Sequence, residues 1–241
     1  MEKGRAPYGL PIIQTCLACS VREDRLFCNL GPEALAELDT IRQTSAYPAG
    51  AVLFVEGQPC RGLFILCSGK AKLTTSSARG RSLIVRVAEA GEVLGLGAAV
   101  SNSAYDLSAE SLEPAQISFL PREDFLRFLH EHGEVSVRVA QHLSMELYRA
   151  YRQMARIALA PSARAKLAGL LLEWGSCEVQ PAPKGARFQL VLTHTEVGEL
   201  IGSSRETVAR LLNQFRRQGL VQIQGTLVTL LDPIGLEALS K

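Results

Sequence analysis

The spacing of apolar residues changes along this chain, and each change marks a different kind of element. Between Pro32 and Arg42, Leu35, Leu38 and Ile41 recur at helical spacing. From Tyr47 to about Leu120 the pattern becomes short β-rich runs: 52–55, 63–66, 83–87 and 116–120. Gly50, Gly57, Gly69, Gly80 and Gly91 divide them, and regular turn glycines between short strands predict a barrel or jelly roll. Pro121 opens a short helix through Leu129, and Gly133 ends it. Residues 134–159 then read as one long helix. Along it Ala140, Leu143, Leu147, Ala150, Met154 and Ile157 alternate spacings of three and four, the seam of a two-stranded coiled coil. A long helix lying on its own domain would show a similar stripe, so the pattern alone leaves both readings open.

Pro161 breaks that helix, and Ser162 can cap the next, which carries Leu167, Leu170, Leu171 and Trp174. A polar connection over 175–187 leads to a strand at 188–192. Thr193 and Glu196 then form a capping box, in which the hydroxyl and the carboxylate each accept from the other residue's backbone N–H. Val197, Leu200 and Ile201 supply the buried side of the helix that follows. Gly202 stands where the chain turns through positive φ, and Ser203 or Ser204 can cap a second helix. Gly219 ends that helix, and 220–231 reads as a hairpin turning at Gln224-Gly225. Helix, strand, helix-turn-helix and hairpin make the layout of a winged helix.

The second helix of the pair has two faces of opposite chemistry. At about 100° per residue, Val208, Leu211, Leu212 and Phe215 fall on one side, and Arg205, Glu206, Ala209, Arg210, Asn213, Arg216 and Arg217 on the other. A face of forked guanidiniums, a carboxylate and an amide suits the major groove. Arg205 and Arg210 can each donate two parallel hydrogen bonds to a guanine, and Glu206 can accept from a cytosine amine. Ser204 and Thr207 suit phosphates, which position the helix without reading sequence. The competing view is a solvated helix whose arginines pair with Glu206 and Glu199.

At 241 residues the chain exceeds the common single-domain size. Its 47% hydrophobic and 21% charged residues are ordinary for a folded globular protein. The net charge of +2 hides the four arginines that face one glutamate over residues 203–218. With no apolar run of transmembrane length and no signal-peptide core after Met1, a cytoplasmic protein is expected. In that compartment its six cysteines are expected to be reduced, metal-bound or redox-sensing. The four histidines, His130, His132, His142 and His194, have no carboxylate pair or nucleophile beside them, so no enzyme is expected.

With these residues in view, the chain resembles the Crp–Fnr family, which contains the cyclic-AMP receptor protein and the fumarate–nitrate reductase regulator. The resemblance rests on residues 48–57, 63–70 and 91–95 in the β region. Most specifically, it rests on Gly202-Ser203-Ser204-Arg205-Glu206-Thr207-Val208-Ala209-Arg210. It implies an α+β fold: a cyclic-nucleotide-type β-roll, a dimerisation helix and a C-terminal winged helix-turn-helix. The divisions expected are an arm at 1–28, a roll at 29–132, a dimerisation helix at 133–160 and a DNA-binding domain at 161–241. It implies a homodimeric transcription regulator on a TGTGA-like inverted repeat in double-stranded DNA, contacting RNA polymerase. The rival expectation is a ligand-binding module acting on a protein partner.

Two departures bear on the signal. Cyclic-AMP-binding members carry a glutamate where Leu96 stands, then an Arg-Ser pair, and 101–108 contains no arginine. Cyclic AMP is therefore not the expected effector. Cys16, Cys19 and Cys28 resemble the oxygen-sensing branch, where a fourth cysteine just before the helix after the roll completes a [4Fe–4S] site. This chain has Ile117-Ser118-Phe119-Leu120 there, and Cys60 and Cys67 in the roll do not match that position. An iron–sulfur cluster, a zinc ion, a thiol switch and an unliganded motif all remain open, with plain burial the bland reading of Cys28. Cys177 reads as incidental.

Overall fold

In the computed structural model, residues 7–10, 13, 15–19, 25–77, 82–159, 161–177 and 186–240 are described. Gly80 and most of the polar connection fall outside them, as do the side chains of Ile157 and Cys177. The chain divides into two compact units, Met1–Leu147 and Tyr148–Lys241.

The first unit starts with short 3-10 turns at Pro7–Gly9 and Cys16–Ala18, then helix α1 (Pro32–Ile41). Strands follow at β1 (Gln43–Tyr47), β2 (Val52–Phe54), β3 (Gly62–Ser68), β4 (Ala71–Ser76), β5 (Ser82–Ala88) and β6 (Val93–Leu94). After helix α2 (Leu96–Ser101) come β7 (Ser108–Ser111), β8 (Ala115–Pro121), helix α3 (Arg122–Glu131) and the long helix α4 (Gly133–Leu159), whose residues from Tyr148 on belong to the second unit. The strands form two antiparallel four-stranded sheets, ordered β1-β8-β3-β6 and β2-β7-β4-β5. This is the expected roll. Gly50, Gly57, Gly69 and Gly91 all take positive φ at its turns.

Alternation along β3 divides the hydrophobic interior in two. Phe64 and Leu66 point into the roll beside Phe54, Leu73, Tyr105 and Ile117. Leu63 and Ile65 point outward, into a second core with Phe27, Leu35, Leu38, Leu96, Phe125 and Phe128. That outer core joins the arm, α1 and α3 to the outside of the sheet. The arm is clipped down by a reciprocal pair, Ile13 N–H to Gln116 Oε1 at 2.8 Å and Gln116 Nε2 to the Ile13 carbonyl at 2.7 Å.

The second unit contains α5 (Ala163–Cys177), β9 (Arg187–Gln189), α6 (His194–Ile201), α7 (Arg205–Arg217), β10 (Val221–Gln224), β11 (Leu227–Leu230) and α8 (Pro233–Ser240). Ser162 caps α5 as expected, its hydroxyl accepting from Ala165 N–H at 3.1 Å. The three strands form one sheet, β10-β11-β9, with Gly225 at positive φ in the hairpin turn. The hairpin does not end the chain: α8 follows and buries Leu236. No helix of the described residues is long and apolar enough to cross a membrane.

The first half of α4 lies on its own unit. Val135 and Val139 are buried in the outer core and Leu143 packs against it. Leu143 therefore does not share the exposure of its expected seam-mates Ala140, Leu147, Ala150 and Met154. Helical spacing puts residues 135, 139 and 143 on one stripe, which is occupied in covering the roll. The exposed stripe shifts to Val137, Ala140, Ser144, Leu147, Tyr151 and Met154, still alternating three and four.

Candidate functional site

The two helices of the turn motif are fixed by local chemistry. Thr193 caps α6, with Glu196 N–H to Thr193 Oγ1 at 3.3 Å and Thr193 N–H to Glu196 Oε2 at 2.9 Å. Gly202 ends α6 in the left-handed region at φ 65°. Ser204 then caps α7, its Oγ accepting from Thr207 N–H at 3.2 Å.

On α7, Val208, Leu211, Leu212 and Phe215 are all buried. Full burial of such side chains stabilises by roughly 1.5–3 kcal/mol each, which holds this face inward. Ser204, Arg205, Glu206, Arg210, Asn213, Arg216 and Arg217 are exposed within their unit, and Thr207 is half-buried. No salt bridge among the described residues engages Arg205 or Arg210. Glu206 is held below the usual carboxylate range, first by its own backbone N–H, then by the Ser204 hydroxyl, with Arg205 adding a smaller pull. At neutral pH it is an ionised, acceptor-only group. Two exposed guanidiniums therefore flank an acceptor on the first turns of a capped helix.

The sequence motif did not single out Gly198. A Cβ there would sit 2.6 Å from the Ser203 carbonyl oxygen, so the turn closes against a bare backbone. A glycine inside an otherwise helical pattern was the available signal.

Against the outer face of the roll, the arm encloses a cavity lined by Cys16, Cys19, Cys28, Arg42, Cys67 and Ser118, with Phe27, Leu38 and Ile65 among its apolar walls. The three arm cysteines are thus brought together, and Cys67 joins them. Cys67 follows Leu63 and Ile65 on the outward side of β3, where the pairing with β8 shifts register between Leu66 and Ser68. A bulge of this kind re-aims a side chain. Cys60 is elsewhere, its thiol donating to the Gly62 carbonyl at 3.2 Å. Arg42 ties the walls together. It donates from Nε to Asp39 Oδ1 at 2.6 Å and from Nη1 to Ser118 Oγ at 2.9 Å. Asp39 in turn accepts from Cys16 N–H at 3.1 Å, and Ser118 Oγ lies 3.3 Å from Cys67 Sγ.

Burial pushes the Cys16 thiol up to about 12 and the Cys28 thiol up to about 11, and it raises Cys67 as well. Unliganded, these three are protonated at neutral pH and poor nucleophiles. Burial also opposes the charge on Arg42, but Cys16 and Asp39 outweigh it and raise its pKa.

The comparisons with known proteins fall on these two regions. A family model described as cyclic nucleotide-binding domain matches residues 44–132, and one described as Crp-like helix-turn-helix domain matches residues 165–239. The chain belongs to the Crp–Fnr family of transcriptional regulators. Among curated Crp–Fnr relatives, the global nitrogen regulator of Synechocystis is 26% identical, covering 90% of this chain and 96% of that protein. The transcriptional activatory protein AadR of Rhodopseudomonas palustris is 27% identical, covering 92% and 91%. Among solved structures, FixK2 from Bradyrhizobium japonicum shares the fold at a TM-score of 0.75 and 20% identity, covering 83% of this chain and 98% of that one. A Crp/Fnr-family regulator of Thermus thermophilus has a TM-score of 0.66 and 26% identity, covering 82% and 98%. The chain is thus a DNA-binding transcription regulator of the Crp–Fnr type, with a cyclic-nucleotide-binding-like domain and a helix-turn-helix.

Proposed function

We propose that this regulator binds as a homodimer to an inverted repeat of TGTGA-like half-sites, under control of a signal received at the cysteine cavity. The observation that carries the reading is the exposed face of α7. Arg205 and Arg210 are placed to read guanines and Glu206 a cytosine, while Ser204 and Thr207 fix the helix on the phosphates. Thr193, Glu196 and Gly202 hold the geometry that presents them. The working divisions are an arm (1–28), a roll (29–132), a dimerisation helix (133–160) and a DNA-binding domain (161–241).

Dimerisation is supported by the apolar stripe on α4. Val137, Leu147, Tyr151 and Met154 are each more than half exposed, at 58%, 54%, 57% and 62%. Water contact along nearly five turns of helix is costly, and a second α4 would cover it. Ala140 and Ala150 allow close approach of the two helices. Leu143 acts within its own roll.

Cyclic AMP suits this roll poorly. Its interior is filled by Phe54 stacked on Tyr105, ring centroids 4.2 Å apart, and by Phe64. Leu96 is 2% exposed in the outer core, so it cannot stand in for a ribose-binding carboxylate. The fully buried polar residues of the described roll are Ser111, Gln116 and Ser118, none of them charged. The four-thiol cavity is the better receiver. Contact with RNA polymerase is part of the same proposal, supported by the family resemblance alone.

A gel-shift series with a TGTGA inverted-repeat duplex and a scrambled duplex tests the reading. The repeat should bind at least about a thousandfold more tightly, as specific sites do, and both affinities should fall steeply with salt as phosphate counterions are released. Equal affinity for the two duplexes would refute it. Salt-insensitive capture of a protein partner would favour a docking module instead.

A further inference from the structure

We propose that Arg164 is a positioning residue for base reading: from the first turn of α5 it fixes the angle of α7 through Phe215 and Gln218. The inference deepens the reading of α7 as the helix that enters the major groove, and it rests on that reading. Arg164 is the second residue of α5, beside the Ser162 cap. Its Nη2 donates to Gln218 Oε1 at 2.9 Å, and its guanidinium carbon lies 5.9 Å from the centroid of the Phe215 ring, at the outer reach of a cation–π contact. Phe215 is fully buried on the inward face of α7, and Gln218 is the residue at which that helix ends. One planar fork therefore touches the last turn of α7 from its packed side and from its end. A lysine would offer a point charge without the plane.

The end of α7 does not need this tie in order to form. Its backbone already closes it: Gly219 N–H donates to the Arg216 carbonyl at 3.1 Å and Leu220 N–H to the Phe215 carbonyl at 3.0 Å, with Gly219 at φ 71°. Arg164 also gives something up. Its Nε is the one buried side-chain nitrogen or oxygen among the described residues without a hydrogen-bond partner, and a buried donor left unpaired is costly. A side chain of this length can carry its charged head into water, so its retention against α7 calls for a reason. Leverage supplies one. α7 has 13 residues and spans about 20 Å, with Gln218 beyond one end and Arg205 and Glu206 at the other. A tilt of roughly 5° about the Gln218 end moves the reading end by roughly 1.7 Å over that length. Hydrogen bonds to bases, confined to about 2.7–3.2 Å, do not survive such a shift. Attraction to phosphates, screened only over about 8 Å, does.

The test uses the full-length chain and two duplexes: the one that wild-type protein selects from a randomised pool, and a scramble of it. Selection keeps the specific probe independent of the TGTGA assignment. In anisotropy titrations Arg164→Gln should lose roughly three- to thirtyfold in affinity for the selected duplex and less than about twofold for the scramble. Arg164→Lys, which keeps the charge without the fork, should lose as much. Arg164→Gln combined with Gln218→Arg rebuilds the bond in the opposite sense and should regain most of the lost preference. Circular dichroism and the denaturation midpoint report folding separately. An equal fall on both duplexes with a shallower salt dependence would make Arg164 a phosphate contact and overturn the proposal. A lower midpoint with an unchanged ratio of selected to scrambled affinity, the mark of packing alone, would overturn it too. Full preference in Arg164→Lys, or none regained in the exchanged pair, would overturn the part given to the fork. A selected sequence unlike TGTGA would refute the half-site assignment and leave the Arg164 comparison intact.

Discussion

Gly198 shows how little room the turn between α6 and α7 contains. Alanine is ordinarily better than glycine inside a helix by roughly 1 kcal/mol. Here its methyl would meet the Ser203 carbonyl at 2.6 Å, a contact with backbone that has no rotamer to escape through. Gly198→Ala should therefore destabilise by about 1–3 kcal/mol, seen as a lower denaturation midpoint at unchanged slope. A rise in the midpoint would contradict the close approach. On the facing helix, Arg205→Ala should reduce the preference for the half-site guanine by about 1–3 kcal/mol while leaving affinity for random DNA nearly unchanged. A fall shared equally between specific and random duplexes would instead assign Arg205 to phosphate contact. The exposure of Arg205 was legible from sequence because it follows from position on a helix face. Gly198 was not, because its requirement comes from a carbonyl five residues away that only the folded turn brings near.

At the scale of elements, α4 separates two roles that a single periodic pattern runs together. Residues 135, 139 and 143 face the roll, and 137, 140, 144, 147, 151 and 154 face solvent. The expected seam through 140, 143, 147, 150, 154 and 157 and the exposed stripe through 137, 140, 144, 147, 151 and 154 both alternate steps of three and four, so spacing alone could not say which was free. Leu143 packs partly against the outer core, whereas the second stripe is exposed along its length. Leu147→Glu should therefore convert the protein to monomer in sedimentation, with its thermal stability at low concentration nearly intact. Leu143→Ala should do the opposite, lowering stability by about 2 kcal/mol or more while the dimer persists. If Leu143→Ala dissociated the dimer and Leu147→Glu did not, the seam would have to be moved back. The cysteine cavity carries a similar lesson. Three of its thiols were visible as a motif in the arm. Cys67 lines the same cavity because alternation along β3 puts it on the side of Leu63 and Ile65, and only the fold shows that the arm docks against that side.

At the scale of the whole molecule, an ion-pair chain links the cavity wall to α4 and is the route the proposal gives the signal. Gly91 lines the cavity, and its neighbour Glu92 pairs with Arg86, which also reaches Glu146 on α4 at 3.3 Å. His142 lies 3.6 Å from the same carboxylate. Glu146→Gln removes the charge at the far end of this link. It should shrink the difference in DNA affinity between oxygen-free and air-exposed protein by about 0.5–2 kcal/mol, measured by anisotropy in both states. An undiminished difference would show that the signal travels elsewhere. The roll, the helix order and the exposed polar face of α7 were legible in the sequence because each has a local period or a cap. The arm's docking and the route to α4 were not, since both depend on contacts between distant segments.

The account as a whole rests on two copies of α7 reaching successive major grooves on one side of the duplex, about 34–36 Å apart. Inserting half a helical turn, about five base pairs, between the two TGTGA half-sites keeps every base and rotates one half-site to the opposite side. Anisotropy at one fixed salt concentration, on the original repeat, the spaced repeat and a scrambled duplex, is the most direct measurement. The original repeat should bind far more tightly, and the spaced repeat should fall most of the way to the scrambled level. Equal binding of the original and spaced repeats would contradict a symmetric dimer reading both halves at once.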